Sequence, residues 1–310
     1  MSRIHEALQR ADRERKTTPV MVDIHVAEPA IASDQEETLL TRADIALDDV
    51  ALHPWRPSAI SLPTLSDRGA AVEQFRSLRS HIFQARYESP LKTILVASGM
   101  PSEGKSFVVA NLAISLARNS IHNILLIDGD LRRPTLHSLL GAPNVPGLSD
   151  YLEGTASLSD ILQRDGSRGH EGNSSAGSIP NLTFIPSGKP CDHSSELVAN
   201  RRMQELIASV SPYFDWILID APPVLAVTDA VDLARAADAV LLVARGASTP
   251  YEVAQRAKAA FSNARMLGFV LNAVKHAPRS NRNNYNYNYY YGEQETGDRA
   301  KRQKDSGRQG

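Results

Sequence analysis

Between Lys92 and Ser106 the chain reads KTILVAS and then GMPSEGKS. The first part is a short apolar run rich in β-branched residues. The second, Gly99, four residues, Gly104, Lys105 and Ser106, is a complete G-x-x-x-x-G-K-[ST] phosphate loop. A segment of helical period, FVVANLAISLARN, follows it. The motif thus lies between a buried strand and a helix start, where its physics requires it. Glycines let backbone N–H groups approach phosphate oxygens closely, and a helix N-terminus adds partial positive charge. Gly99, Met100, Pro101, Ser102, Glu103, Gly104, Lys105 and Ser106 are therefore expected to wrap the phosphates of a nucleotide. Lys105 reaches the terminal phosphates, and the Ser106 hydroxyl is a ligand for Mg²⁺.

From Lys92 onward, strand, loop and helix signals alternate. Strands are expected at 92–98, 123–127, 182–185, 215–219, 239–244 and 267–271, and helices at 199–210, 229–236 and 251–261. Near-continuous Ile, Leu and Val in the strands means burial on both faces. The expected fold is α/β, a mostly parallel sheet with helices on both sides, of the P-loop NTPase type. Ligands of such sheets bind at the carboxyl ends of the strands.

Two further strand ends carry acids. ILLIDGDLRRP places Asp128 and Asp130 just past an apolar strand, and WILIDAPP ends its strand at Asp220. Clustered carboxylates beside a phosphate loop are costly unless a cation holds them, and Mg²⁺ with its oxygen ligands is the economical answer. Asp220 reads as the carboxylate that holds the ion directly or through water. One of Asp128 and Asp130 can also accept a proton from an attacking hydroxyl; as an alternative, the pair caps a helix. Asn272 ends the last strand, as an adenine-reading amide or as a turn residue. Arg132 and Arg133 clamp phosphate, contact a neighbouring subunit, or sit in solvent.

The flanks differ in character. Residues 1–16 have the spacing of a short amphipathic helix. Residues 17–68 hold five prolines and nine Asp or Glu against three Arg, keep no sustained apolar period, and are expected to be a disordered linker. The folded domain is expected over 69–276, with a flexible Gly/Ser-rich insertion at 166–178. It opens with a helix, AAVEQFRSLRSHIFQARY, whose Glu73, Arg76 and Arg79 share one face; they form internal ion pairs there or bond across a subunit interface. Residues 277–310 have almost no aliphatic side chains and are expected to be a disordered tail. Five of the nine tyrosines fall there, at Tyr285, Tyr287, Tyr289, Tyr290 and Tyr291.

Bulk properties remove several function classes. Net charge is −1, so nothing in the balance favours nucleic acid. The single cysteine, Cys191, forms no intrachain disulfide. The histidines show no metal-ligand spacing, and no zinc site is expected. No apolar run reaches the roughly 18–20 residues needed to span a bilayer, and the charged opening MSRIHEALQRADRERK lacks a secretory signal.

Taken together, the phosphate loop, DGDLRR fitting D-x-D-x-R, ILIDAPP, the E-x-x-R-x-x-R helix and the tyrosine-rich tail resemble the bacterial tyrosine kinases. These are P-loop autokinases of capsule and exopolysaccharide export. The likeness covers about 70–291, and SRIHEALQRADRE resembles the opening of the cytoplasmic autokinases encoded with exosortase-type systems. The resemblance implies ATP and Mg²⁺ as cofactors. It implies Lys105, Asp128 and Asp130 as catalytic, Ser106, Asp130 and Asp220 as metal-binding, and Glu73, Arg76 and Arg79 as contacts of a ring-shaped homo-oligomer. The tail tyrosines would be phospho-acceptors entering a neighbour's site. Implied partners are a membrane-spanning polysaccharide co-polymerase, which brings a cytoplasmic kinase to the inner face of the plasma membrane, and a cognate tyrosine phosphatase.

The match departs from the family at one place that matters. The family loop usually reads P-G-E-G-K-[ST], and here Ser102 stands for the first of those glycines. A positive φ at that position would strain serine by on the order of 1 kcal/mol or more. Gly129, where alanine is more usual, is expected to be harmless. The competing readings are a positioning ATPase resembling the partition and septum-site proteins and a nucleotide-gated assembly switch. The positioning ATPases carry an extra lysine just after the first loop glycine, and here that residue is Met100.

Overall fold

The computed structural model describes residues 50–118, 121–166, 179 and 181–274. Eight strands form one sheet: β1 (Ala51–His53), β2 (Thr93–Ser98), β3 (Ile124–Asp128), β4 (Gln163–Asp165), β5 (Leu182–Ile185), β6 (Trp216–Asp220), β7 (Ala239–Arg245) and β8 (Met266–Asn272). Their spatial order is β1-β4-β5-β3-β6-β2-β7-β8. Every pairing is parallel except β4 with β5.

Alternation along each strand sends side chains to two separate cores. Leu95, Ala97, Leu125, Ile127, Ile217 and Ile219 enter one. Ile94, Val96, Ile124, Leu126, Leu218 and Val243 enter the other. The second face is covered by α1 (Ala70–Glu88), α2 (Lys105–Arg118) and α3 (Leu136–Leu140). The first is covered by α4 (Leu148–Glu153), α5 (Leu158–Ile161), α6 (Ser194–Ala199), α7 (Arg202–Val210), α8 (Asp229–Ala234) and α9 (Tyr251–Ala260). Burial of β2, β3, β5 and β6 at every position explains why they read as unbroken apolar runs.

One boundary is corrected. The segment 50–68, expected to be the end of a linker, belongs to the folded body. β1 pairs with β4 at the sheet edge. Trp55 and Leu62 are 3 % and 0 % exposed; Trp55 stacks edge-on against Phe184, with centroids 6.1 Å apart, and donates to Gln163 Oε1. Thr64 Oγ1 donates to Asn111 Oδ1 at 2.8 Å. Val50 enters one core and Trp55 and Leu62 the other, so the segment wraps round the edge of the sheet. It touches the body at isolated points, which leaves no period to read.

The expected helix at 199–210 is α7, which starts at Arg202; α6, which ends at Ala199, and the short α3, α4 and α5 are additional. At the start of α5 the Ser157 amide and hydroxyl both donate to the Asp160 carboxylate, and the Asp160 amide donates to the Ser157 carbonyl at 3.2 Å. The expectations for 1–16, for the linker over 17–49, for the insertion at 166–178 beyond Gly166 and for the tail with its five tyrosines lie outside the described residues.

Candidate active site

The phosphate loop runs from the end of β2 to Lys105, the first residue of α2. Its outer rim is held by side chains from three directions. The Met100 carbonyl accepts from Ser98 Oγ at 2.9 Å. The Ser102 carbonyl accepts from Arg245 Nη1 at 3.1 Å, and the Glu103 carbonyl from Asn272 Nδ2 at 3.0 Å. In a trans peptide the C=O and the following N–H point in opposite directions. Pinning the Ser102 and Glu103 carbonyls outward therefore turns the Glu103 and Gly104 amides inward, where phosphate oxygens are to be met.

Glu103 is 4 % exposed. Its carboxylate accepts from the Met100 amide at 2.7 Å and from the Thr249 hydroxyl. It braces the loop from within rather than touching ligand. Asn272 is likewise engaged with the loop, its amide on the Glu103 carbonyl and its oxygen accepting from the Ala273 amide. A Cβ at Gly104, where φ is +91°, would come within 2.0 Å of Asn272 Nδ2, so only glycine fits. Ser102 does adopt a positive φ, +63°, the strained conformation the sequence warned of.

β3 and β6 bring the acids in. Asp128 and Asp220 are cross-strand partners at their strands' carboxyl ends. Gly129 allows the two ends to close up: its amide donates to the Asp220 carbonyl at 2.9 Å, and a Cβ there would lie 2.7 Å from that oxygen. The Lys105 ammonium lies 3.0 Å from Asp130 Oδ2 and 3.6 Å from Asp220 Oδ1. Ser106 Oγ donates to Asp220 Oδ2 at 2.5 Å. Asp128 is sealed behind them, one oxygen accepting from the Asp130 amide and the other from the Thr135 and Leu136 amides at the start of α3. The helix-capping alternative therefore holds for Asp128 alongside its place in the acid cluster.

Burial and the neighbouring Asp220 push the Asp128 carboxyl up to about 8. Burial also raises Asp220, to about 6, against the pull of Lys105 and the Ser106 hydroxyl. Burial works to lower Lys105, but Asp220 and Asp130 outweigh it and hold the ammonium above its ordinary range. Three buried carboxylates against one ammonium leave a negative surplus, and the fully buried Asp220 Oδ1 has no hydrogen-bond partner among the described residues. An all-oxygen donor set with an orphaned carboxylate oxygen fits a hard divalent cation such as Mg²⁺.

The loop and Asp130 open onto a cleft of about 740 Å³. Pro101, Ser102, Gly104, Lys105, Ser106 and Asp130 line it, whereas Gly99, Met100, Glu103, Asp128, Asp220 and Asn272 do not. Arg132 and Arg133 line it too, and Phe107, Leu139, Pro222, Pro223, Ala226 and Val227 give it an apolar wall. Arg132 is not left in solvent: its Nε donates to Asp229 Oδ2 at 3.2 Å and its Nη2 to Ser195 Oγ at 3.0 Å. Asp229 was missed by the sequence reading; it opens α8 without any local motif.

The charged face of α1 makes contacts within the chain. Arg76 pairs with Glu73 and donates to the Asp67 carbonyl at 2.9 Å. Arg79 Nη1 donates to the Ser115 carbonyl at 2.6 Å, which ties α1 to α2.

No family model matches the chain. Among characterised proteins it is 32% identical over 210 residues to the tyrosine-protein kinase YwqD of Bacillus subtilis, spanning 67% of this chain and 83% of that one. It is 35% identical over 268 residues to the putative tyrosine-protein kinase AmsA of Erwinia amylovora, covering 86% of this chain and 34% of AmsA. It is 35% identical over 206 residues to the tyrosine-protein kinase wzc of Salmonella typhimurium, covering 66% of this chain and 27% of that protein. The chain thus spans about a third or less of the longer relatives. Among solved structures, the chimerical protein CapA2B2 superposes with a TM-score of 0.63 at 27% identity, over 73% of this chain and 96% of that one. The kinase domain of the Escherichia coli tyrosine kinase ETK gives 0.59 at 32% identity, over 70% and 81%.

Proposed function

Since this chain belongs to the bacterial tyrosine-protein kinases, we propose that it transfers the γ-phosphoryl group of ATP to tyrosine. The observation that carries this reading is the convergence of Lys105, Ser106 and Asp130 on a cleft with an apolar wall, with Asp220 buried directly behind Ser106. In this reading the apolar wall of Phe107, Leu139 and Pro222 receives the tyrosine ring and Asp130 its hydroxyl.

Each residue has a role that follows from its position. The inward amides of the loop and Lys105 hold the β- and γ-phosphates and offset charge that builds up on transfer. Ser106, Asp130 and Asp220 would hold Mg²⁺, which when bound neutralises phosphate charge. Tyrosine is a weak nucleophile with an ordinary pKa near 10, so it needs a base and good alignment. Asp128 and Asp130 are the acid–base pair: Asp130 fronts the cleft, within reach of a substrate hydroxyl, and Asp128 sits sealed behind it, holding the Asp130 amide in place. Arg132, braced by Asp229, stands at the mouth, where a guanidinium suits a phosphorylated product or an acidic partner.

The acceptors in this reading are Tyr285, Tyr287, Tyr289, Tyr290 and Tyr291, delivered in trans within a ring-shaped homo-oligomer. The Glu73, Arg76 and Arg79 face, exposed at Glu73 and Arg76, supplies subunit contacts. Among the described residues no helix is long and apolar enough to cross a membrane, which suits recruitment to the inner membrane face by a polysaccharide co-polymerase. Exopolysaccharide polymerisation or export would be the regulated process, with a tyrosine phosphatase reversing the mark.

The test is transfer of label from γ-labelled ATP with Mg²⁺, comparing the wild type, Lys105→Met and a variant with the five tail tyrosines changed to Phe. Label on tyrosine in the wild type, lost in both variants, is expected. ATP hydrolysis without tyrosine label, even with a co-polymerase segment added, would overturn the assignment.

A further inference from the structure

Away from the cleft floor, Glu153, Cys191 and His193 bring a carboxylate oxygen, a thiol sulfur and an imidazole nitrogen within 4.8 Å of one another. Phosphoryl transfer uses none of them. They meet because of the fold rather than a long local motif. Glu153 is the last residue of α4, Cys191 lies in the loop after β5, and His193 is the N-cap of α6. The arrangement is layered: Cys191 lies beneath at 9 % exposure, and the side chains of His193 and Glu153 are 57% and 39% exposed above it. An ion can therefore enter from solvent and find sulfur at the base.

The geometry discriminates between metals. His193 Nε2 is 3.4 Å from Glu153 Oε1. Nitrogen and oxygen ligands about 2.0–2.2 Å from a tetrahedral zinc are separated by roughly 3.4 Å. Mg²⁺ and Ca²⁺ prefer all-oxygen shells, whereas thiolate with imidazole and carboxylate suits Zn²⁺. We propose that Glu153, Cys191 and His193 form a Zn²⁺ site with three protein ligands and a fourth position open to water. On binding, the thiol proton leaves to solvent and the sulfur–metal bond takes its place.

The site is wired to the cleft by short contacts. The Cys191 amide donates to the Leu131 carbonyl at 3.0 Å, between Asp130 and Arg132. Ser194 and Ser195, which follow His193, donate to Asp229 at 2.6 and 2.5 Å, and Ser195 Oγ also accepts from Arg132. An ion held by Cys191 and His193 therefore fixes the loop that sets the position of Arg132.

The lone cysteine makes the test clean. Co²⁺, titrated into the full-length protein as a stand-in for Zn²⁺, gives a thiolate-to-cobalt charge-transfer band only if Cys191 binds, because the chain has no other sulfur of that kind. An acid-cluster or histidine site elsewhere gives no such band. One equivalent of band-forming Co²⁺, displaced by Zn²⁺ and lost in Cys191→Ser, is the expected result. His193→Ala and Glu153→Gln, both at exposed positions, should each weaken binding at least about tenfold. Absence of the band in the wild type, or unchanged affinity in either exposed variant, would overturn the site and leave a surface ion pair above a buried thiol.

Discussion

Ser102 offers a test of backbone strain in the phosphate loop. Its φ of +63° is left-handed, which costs a residue with a Cβ roughly 1–2 kcal/mol. Its side chain is exposed, and the loop contact it makes, from Arg245 to its carbonyl, does not depend on the hydroxyl. Ser102→Gly therefore removes the strain and loses little packing. Against that gain, glycine gives the unfolded chain more freedom, about 0.5–1 kcal/mol. Taking the middle of each range, the balance is a stabilisation of about 0.75 kcal/mol, which for a domain of this size raises Tm by about 1.5–3 °C. Ser102→Ala keeps the Cβ and the strain, so it should melt within about 1 °C of the wild type. Thermal unfolding followed by circular dichroism, without nucleotide, compares the three proteins. A Ser102→Gly protein that melts at or below the wild type, or an alanine variant that gains as much as glycine, would refute the strain argument.

Two further perturbations probe the acids and the wrapped segment. Asp128 ordinarily titrates at 3.8, and burial with Asp220 nearby raises it to about 8; the native state thus keeps a proton that the unfolded chain gives up. Its stabilising contribution is complete below about pH 4 and is lost as pH rises through the folded value. In metal-free protein Asp128→Asn should flatten the fall of Tm between about pH 5 and pH 8, and in the separate assay with Mg²⁺ and ATP it should abolish tyrosine labelling; an unchanged pH slope would argue against the proton on Asp128. Leu62 is completely buried in the core beneath α2, so Leu62→Ala should cost about 2–5 kcal/mol, read as a lower denaturant midpoint, where a residue in a free linker would shift it by almost nothing.

What could be read in the sequence, and what could not, divides along sequence separation. Gly99 to Ser106, Asp128, Asp130 and Asp220 were legible because each sits at the end of an apolar strand and its chemistry is encoded within a few residues. The β4 segment, Gln-Arg-Asp, was not, because a polar three-residue strand at the edge owes its pairing to β1 and β5 and carries no pattern of its own. The same holds for what shapes the loop. Arg245 reaches Ser102 across 143 positions and Asn272 reaches Glu103 across 169. Neither contact leaves a spacing to detect; both follow from β7 lying beside β2 with β8 just beyond it. That order also explains the Asn272 expectation. A strand-end amide near a nucleotide loop suggests base recognition, but only the strand order shows that it faces the Glu103 carbonyl and the space a Gly104 side chain would need. Glu103 makes the complementary point, for its amide turns toward the phosphate position while its buried carboxylate is tied to Met100 and Thr249. The parts that touch phosphate are written locally, while the parts that aim them are written in the topology, so substitutions at Arg245, Thr249 or Asn272 act on the loop without belonging to any motif that marks them.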